Sequence, residues 1–323
     1  MEYIIGEEHT GKTLKTYLRY VLGISSAMTT RLKQLPDGLR VNGEHVTVRY
    51  ILKQGDLLSV SMEDKESSEH IVATPMDLDI LFEDDDILVL NKPPHVPTHP
   101  SQGHFDDTVA NGLAYLFAER GQPFVFRACS RLDRDTSGVV TIAKNGLAAH
   151  RLHRSHLEST TKKQYIAILR GTLTPAEGTI GGCIRRKEDS VITRVLTEDD
   201  GDPSLTRYRV LAYGQDREGM PLTLVAAEPV TGRTHQLRVH FSSRGCPILG
   251  DFLYGTEGDG GIGRQALHCC MTAFPHPISG QNAVFFAPIP SDMAAFLQFF
   301  SDMNEERIKD YVKDQGTAVL DTL

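Results

Sequence analysis

The chain has 323 residues, 40% hydrophobic and 24% charged, with a formal net charge of −8. That length supports a sizeable core and one large unit beside a small one, and no apolar run reaches the roughly 18–20 residues of a membrane helix. The N-terminus, Met1 to Glu8, is acidic and short of apolar residues, so no secretory signal is read there and a cytoplasmic protein is expected.

Leu14, Tyr17, Leu18, Val21 and Leu22 fall at i, i+3, i+4, i+7 and i+8, one face of an amphipathic helix that Gly23 ends. Ser25 or Ser26 can cap a second helix whose apolar face is Met28, Leu32 and Leu35. Pro36-Asp37-Gly38 breaks the chain. Asn42-Gly43 then signals a tight hairpin, with alternation continuing to Val48 and a further strand over 57–60. An acidic total argues against nucleic acid. Residues 11–62, however, hold eight Lys or Arg against three acids, a local balance of +5, while acid collects elsewhere, as at 83–86 and 198–200. In its order of helix, helix, basic loop and Val-Asn-Gly hairpin, residues 1–62 resemble the S4 RNA-binding domain. The resemblance implies that Arg31 and Lys33 lie against RNA phosphates; a helical cap with a solvated basic face is the alternative.

Residues 63–69 are polar throughout and read as the start of an exposed linker, taken as 63–77. Over 78–302, short apolar runs alternate with turns: 87–90, 139–143, 165–169, 222–227 and 283–286. Helical patterns are fewer, at 108–119, 146–157 and 291–301. A sheet-rich α+β domain is expected, followed by a tail, 303–323, that is either a docked helix or partly disordered.

Three segments carry candidate chemistry. Arg131-Leu132-Asp133-Arg134-Asp135-Thr136-Ser137-Gly138 places a carboxylate between two arginines at a turn before a strand. Adjacent positive charge favours the anion, which suits a nucleophile or general base, although composition alone favours a surface turn. Lys162-Lys163-Gln164-Tyr165 leads into a strand, where a phenol can stack on a base and move a proton. In Thr231–His240, Gln236, Arg238 and His240 alternate with Leu237 and Val239, which reads as a strand with one polar face lining a cleft. His235, His240, His268 and His276 lack metal-site spacing, as do Cys129, Cys183, Cys246, Cys269 and Cys270, which are expected as reduced and mostly buried thiols; no metal is expected.

Taken in order, these segments resemble the RluA family of RNA pseudouridine synthases, whose signature is His-Arg-Leu-Asp-x-x-Thr-Ser-Gly, Lys-x-Tyr and Gly-Arg-x-His-Gln-Leu-Arg-x-His, here at 130–138, 163–165 and 232–240. Phe82-Glu83-Asp84 with Val89–Pro93, Leu249-Gly250-Asp251, Tyr254-Gly255 and His268 through Pro277 fit the same frame. One departure is Ser130, where the family usually has His. The resemblance implies a mixed, mainly antiparallel sheet with flanking helices, preceded by the small S4-like α/β domain. It implies isomerisation of uridine to pseudouridine in ribosomal or transfer RNA, with no cofactor, by a monomer. Asp133 then acts at C1′ or C2′ of the nucleotide, Tyr165 packs on the uracil and helps remove the C5 proton, and Arg238 pairs with the aspartate. Arg131 enters the space left by a flipped base, and Lys163, Arg233, His235 and Gln236 bind RNA. An inactive synthase-like RNA-binding protein, or a hydrolase releasing uracil, are the competing readings.

Overall fold

A computed structural model describes residues 2–61, 67–68, 70–256 and 259–320. In the first sixty residues the helical periodicity is realised as α1 (Leu14–Tyr20), whose Leu14, Tyr17 and Leu18 are buried, and α2 (Ser26–Gln34). Thr13 caps the first and Ser25 the second, each hydroxyl accepting a backbone N–H of the opening turn. Asn42 and Gly43, at φ of 53° and 84°, make the two-residue turn joining β2 (Leu39–Val41) to β3 (Glu44–His45). The alternation expected to run to Val48 pairs over two residues only. With β1 (Glu2–Ile4) and β4 (Leu57–Val60) the small sheet runs β1-β4-β2-β3.

The large unit is a mixed, mainly antiparallel sheet of ten strands. Its strands are β5 (Asp79–Glu83), β6 (Ile87–Lys92), β7 (Ser137–Ala143), β8 (Lys162–Arg170), β9 (Glu177–Arg186), β10 (Arg194–Thr197), β11 (Asp202–Gln215), β12 (Pro221–Pro229), β13 (Leu267–Pro275) and β14 (Asn282–Phe286). Their order is β10-β9-β11-β12-β8-β13-β7-β6-β5, with β14 on β13. Among the described residues, only β7 and β13 pair in parallel. All seven residues of β7 are buried, as a strand covered on both faces requires. Helices α3 (Val109–Glu119) and α4 (Gly146–Leu157) begin where expected, capped by Thr108 and Asn145.

Two expectations are corrected, and two others gain detail. Residues 236–240 are not strand but the first turns of helix α5 (Gln236–Ser243), buried on every side from Gln236 to Phe241. The helix expected over 291–301 is broken into α6 (Ser291–Ala294) and a 3₁₀ turn at Leu297–Phe299. Of the tail, open between a docked helix and partial disorder, residues 305–320 form a docked helix, α7 (Glu305–Leu320), whose Ile308 and Val312 join the main core. The linker lies partly outside the described residues, but Ser67 and Ser68 already bond the backbone of Phe124 and Phe126, and Asn111 holds the carbonyl of Val72. From there the segment is tied to the large unit by these bonds, while Ser67, His70, Val72, Ala73, Pro75 and Asp77 stay exposed, as a linker's residues are.

The two units share helix α4. Leu147, 1% exposed, belongs to the small unit's apolar core, and Met28 packs over Gly146. Arg151 donates to the carbonyls of Leu22 at 3.0 Å and Pro277 at 2.8 Å, tying helix α1's exit to the loop after β13. The opposite side of α4, Leu152, His153 and His156, faces a cleft in the large unit.

Candidate active site

That cleft has a volume of about 700 Å³. Its floor is the loop between Ser130 and β7. Gly138 ends this loop at φ +116°, and a Cβ there would lie 2.1 Å from the carbonyl oxygen of Cys269, so only glycine lets β7 close on β13. The loop is anchored residue by residue. Thr98 exchanges bonds with both backbone groups of Leu132. Lys92, fully buried, donates to the carbonyls of Pro93, Val96 and Arg134 at 2.8, 2.8 and 2.9 Å. Arg264, 1% exposed, donates to the carbonyl of Asp135 at 3.1 Å while two of its nitrogens hold Asp292. Gln265 reaches the Thr136 hydroxyl and His268 the Ser137 hydroxyl. By contrast, among the described residues the Ser130 hydroxyl accepts only a long 3.5 Å bond from Thr141, so support of the loop rests on these other groups.

Asp133, its side chain 29% exposed, is presented by this loop to the cleft. Its neighbours in sequence do not pair with it: Arg134 forks onto Asp135, which His95 also contacts, and Arg131 lies exposed at the rim. The partner is Arg238, whose Nη1 donates to Oδ2 of Asp133 at 3.2 Å. The rest of the guanidinium forks onto the wholly buried Asp251, at 2.7 and 2.8 Å, and lies 5.1 Å from the centre of the Tyr254 ring. The expected Arg238–Asp133 pairing is thus present, but reached from a helix, with a second carboxylate fixing the arginine.

Tyr165 and Lys163 lie two apart on β8 and both line the cleft. Tyr165 is 7% exposed, and burial, reinforced by Cys269, holds its phenol well above the ordinary value. Burial likewise lowers the Lys163 amine. Arg233 is exposed, with Nε on the carbonyl of Pro203. His235 approaches Asp133 Oδ2 to 3.9 Å and bonds Tyr254. Gln236, expected on RNA, is corrected: its oxygen accepts from Thr231 and from Arg233 N, and its amide donates to Leu205 O and Thr206, leaving no polar group for a ligand. Arg31 and Lys33 are exposed on α2, outside the cleft.

Sequence reading placed Lys92, Asp251 and Tyr254 in the family frame without giving them a role, and it missed Arg264 and, in the cleft wall, His99, His153 and His156. The last two were within reach, since the extent of α4 was legible and only its polar face went unread. His240 and His268 are buried with both ring nitrogens hydrogen-bonded, and burial pulls each down to about 4, so they are neutral structural residues. Among the described residues one set has metal-ligating composition, Asp84, Asp86 and His276, away from the cleft. There His276 Nδ1 accepts the N–H groups of Ile278 and Ser279, which puts the ring proton on Nε2, directed at Asp84 rather than a metal.

A single carboxylate held by a buried arginine, an aromatic ring beside it and basic side chains around the rim suit chemistry on one base drawn from a polyanion. Residues 86–243 match the RNA pseudouridylate synthase family. The Bacillus subtilis protein named uncharacterized RNA pseudouridine synthase YjbO is 41% identical over 277 residues, 86% of this chain and 95% of that protein. Ribosomal large subunit pseudouridine synthase D of Vibrio parahaemolyticus is 36% identical over 86% of this chain and 88% of its own. The structure of human RNA pseudouridylate synthase domain containing 1 superposes with a TM-score of 0.59 at 30% identity, over 73% of this chain and 95% of that one. The chain belongs to the RNA pseudouridine synthase family and is an isomerase. No helix among the described residues is long and apolar enough to cross a membrane.

Proposed function

We propose that this enzyme isomerises selected uridines of structured RNA through Asp133, with Tyr165 against the uracil and Arg238 holding the carboxylate. The observation that carries the reading is the 3.2 Å bond from Arg238 Nη1 to Asp133 Oδ2 in a cleft that Tyr165 also lines. Arg238 fixes one carboxylate oxygen and keeps the anion in place; Asp133 then acts on the ribose, the N1–C1′ bond breaks, C1′ bonds to C5, and C5 gives up its proton to solvent while N1 takes one. Tyr165, its phenol kept protonated by burial, holds the detached base. A stacked target must flip out, at a cost of a few kcal/mol, and Arg131 at the rim is suited to fill its space. Lys163 and Arg233 are the further candidates for RNA contact; His235, first expected on RNA, lies beside Asp133 and Tyr254 instead.

Ribosomal RNA is the first substrate to test, because relatives bear the name ribosomal large subunit pseudouridine synthase; transfer RNA is the second. The fold of residues 2–60, two capped helices followed by a small sheet, supports an S4-like RNA-binding role for that unit, with Arg31 and Lys33 on phosphates. The reading takes the enzyme as a cytoplasmic monomer, which sedimentation of the purified protein and fractionation of cells would check.

Release of tritium from C5-labelled uridine in RNA measures the isomerisation, and Asp133→Asn should abolish it while RNA binding persists. Residual turnover above about one per cent would remove Asp133 from its role. Release of free uracil would favour a hydrolase instead. That reading lacks a second carboxylate, since Asp133 is the one acid among the described residues lining the cleft.

A further inference from the structure

His235 occupies a conformation and a bonding position that an RNA contact does not need. It precedes α5 with φ +58° and ψ +19°, the left-handed region that costs a side-chain-bearing residue some strain. Its Nδ1 lies 2.8 Å from the Tyr254 hydroxyl, and its Nε2 lies 3.9 Å from Oδ2 of Asp133. The direction of the first bond follows from the hydrogen-bond partners. The Tyr254 oxygen accepts the backbone N–H of Arg194 at 2.8 Å, and its own proton has no other acceptor than His235 Nδ1 among the described residues. Tyr254 therefore donates to Nδ1, and the neutral ring carries its proton on Nε2, toward the carboxylate. Burial favours that neutral ring, with Asp133, Arg238, Arg194 and Asp251 as its charged neighbours.

The same Oδ2 atom accepts from Arg238 Nη1, while no side chain among the described residues donates to Oδ1. We propose that His235 is a positioning residue for Asp133. With Tyr254 fixing the tautomer, it joins Arg238 in holding Oδ2 and leaves Oδ1 to face the nucleotide. The 3.9 Å gap closes to a hydrogen bond when RNA displaces water from the cleft, as catalytic bonds tighten in the substrate complex. This inference rests on the reading of Asp133 as the acting carboxylate, and Asp133→Asn is carried as its control.

The test is a set of full-length variants assayed for kcat, KM and RNA affinity, with folding followed by thermal melting. Gln can present an amide N–H close to the Nε2 position; Asn suits the left-handed backbone but reaches only as far as Nδ1. His235→Ala and His235→Asn should lower kcat roughly ten- to a hundredfold at unchanged RNA affinity, the range for losing a hydrogen bond to a charged group, and His235→Gln should recover much of it. Tyr254→Phe should lower kcat in the wild type but by less than about twofold in the His235→Gln background, where no tautomer needs fixing. Nitrogen-15 shifts of the His235 ring should show the Nε2–H form, and Tyr254→Phe should mix in the other. Equal losses from Tyr254→Phe in both backgrounds would make Tyr254 a packing residue and overturn the proposal. So would His235→Gln no better than His235→Ala, a loss seen in RNA affinity alone, or a ring protonated on Nδ1. Turnover surviving in Asp133→Asn would instead sink the underlying assignment of Asp133.

Discussion

The ammonium of Lys92 donates to the carbonyl oxygen of Arg134 at 2.9 Å, one residue beyond Asp133, from a position with no solvent exposure. The carbonyls of Pro93 and Val96 take its other two protons. Burial pulls the amine from 10.5 down to about 7, against the pull of Asp135 in the other direction. Because the folded value lies below the unfolded one, the native protein binds fewer protons than the unfolded chain between about pH 7 and 10.5. Stability contributed at this site therefore rises with pH across that window. Relative to Lys92→Met, the wild type should gain up to about 1.4 kcal/mol of unfolding free energy per pH unit, read from urea curves. A difference that does not change with pH would show that the tripod of carbonyls keeps the ammonium charged. Lys92→Met should also lower turnover, since the peptide after Asp133 loses its anchor.

Arg238 and Arg233 should fail differently. Arg238→Ala leaves the wholly buried Asp251 without its fork and Asp133 without its donor, so it should cost about 3–5 kcal/mol of stability, as for a broken buried pair, and nearly all of kcat. Arg238→Lys keeps the charge but cannot serve both carboxylates, so rescue should be partial. Arg233→Ala, at an exposed rim position, should raise KM for RNA with kcat nearly unchanged. Steady-state tritium release distinguishes them; a kcat defect in Arg233→Ala with normal KM would reverse the roles.

Gly138→Ala should be among the most damaging single-methyl changes. Its φ of +116° and the 2.1 Å approach to Cys269 O cannot both be kept, so a loss of at least about 2–3 kcal/mol is expected, measured by thermal melting. A variant as stable as the wild type would mean that β7 and β13 can separate without penalty.

What was legible in the sequence was local. Turn chemistry marked Asn42-Gly43, cap chemistry marked Ser25 or Ser26, and the helical pattern gave the limits of α4. The misreading at 236–240 has a physical cause: α5 is buried all round, so it carries no 3.6-residue polarity, and five residues of chance alternation imitate a strand. Strand β9 escaped notice because Gly178, Gly181 and Gly182 interrupt its apolar run, and β11 because Arg207 and Arg209 break its pattern, leaving only the short run 210–213. The pairing of Asp133 with Arg238 followed from family resemblance, not from spacing. The supports under the loop could not be read at all. Lys92 and Arg264 reach it from 42 and 129 residues away, and each appears in the sequence as one more surface cation.

The packing of the two units on each other changes what truncation should do. The large unit has its own core, so a protein lacking residues 1–62 should fold and melt cooperatively. It should also be poorly soluble, because Leu147 and Ile278 lose the apolar side chains that cover them. Leu147→Ser should restore solubility to the truncated protein, yet in the full chain it should cost about 2–4 kcal/mol as a buried apolar side chain gives way to a cavity with a hydroxyl. RNA affinity of the truncated form should fall with a flatter salt dependence, by about one in log–log slope for each phosphate no longer neutralised. Arg151→Ala tests the docking separately. It removes the bonds to Leu22 and Pro277 but no side chain of the cleft lining, so it should weaken RNA binding through lost preorganisation while leaving the salt slope unchanged. A slope reduced by about one would make Arg151 a phosphate ligand instead. Affinity untouched by Arg151→Ala, with a normal slope, would mean that the small unit need not be fixed on α4 to bind RNA.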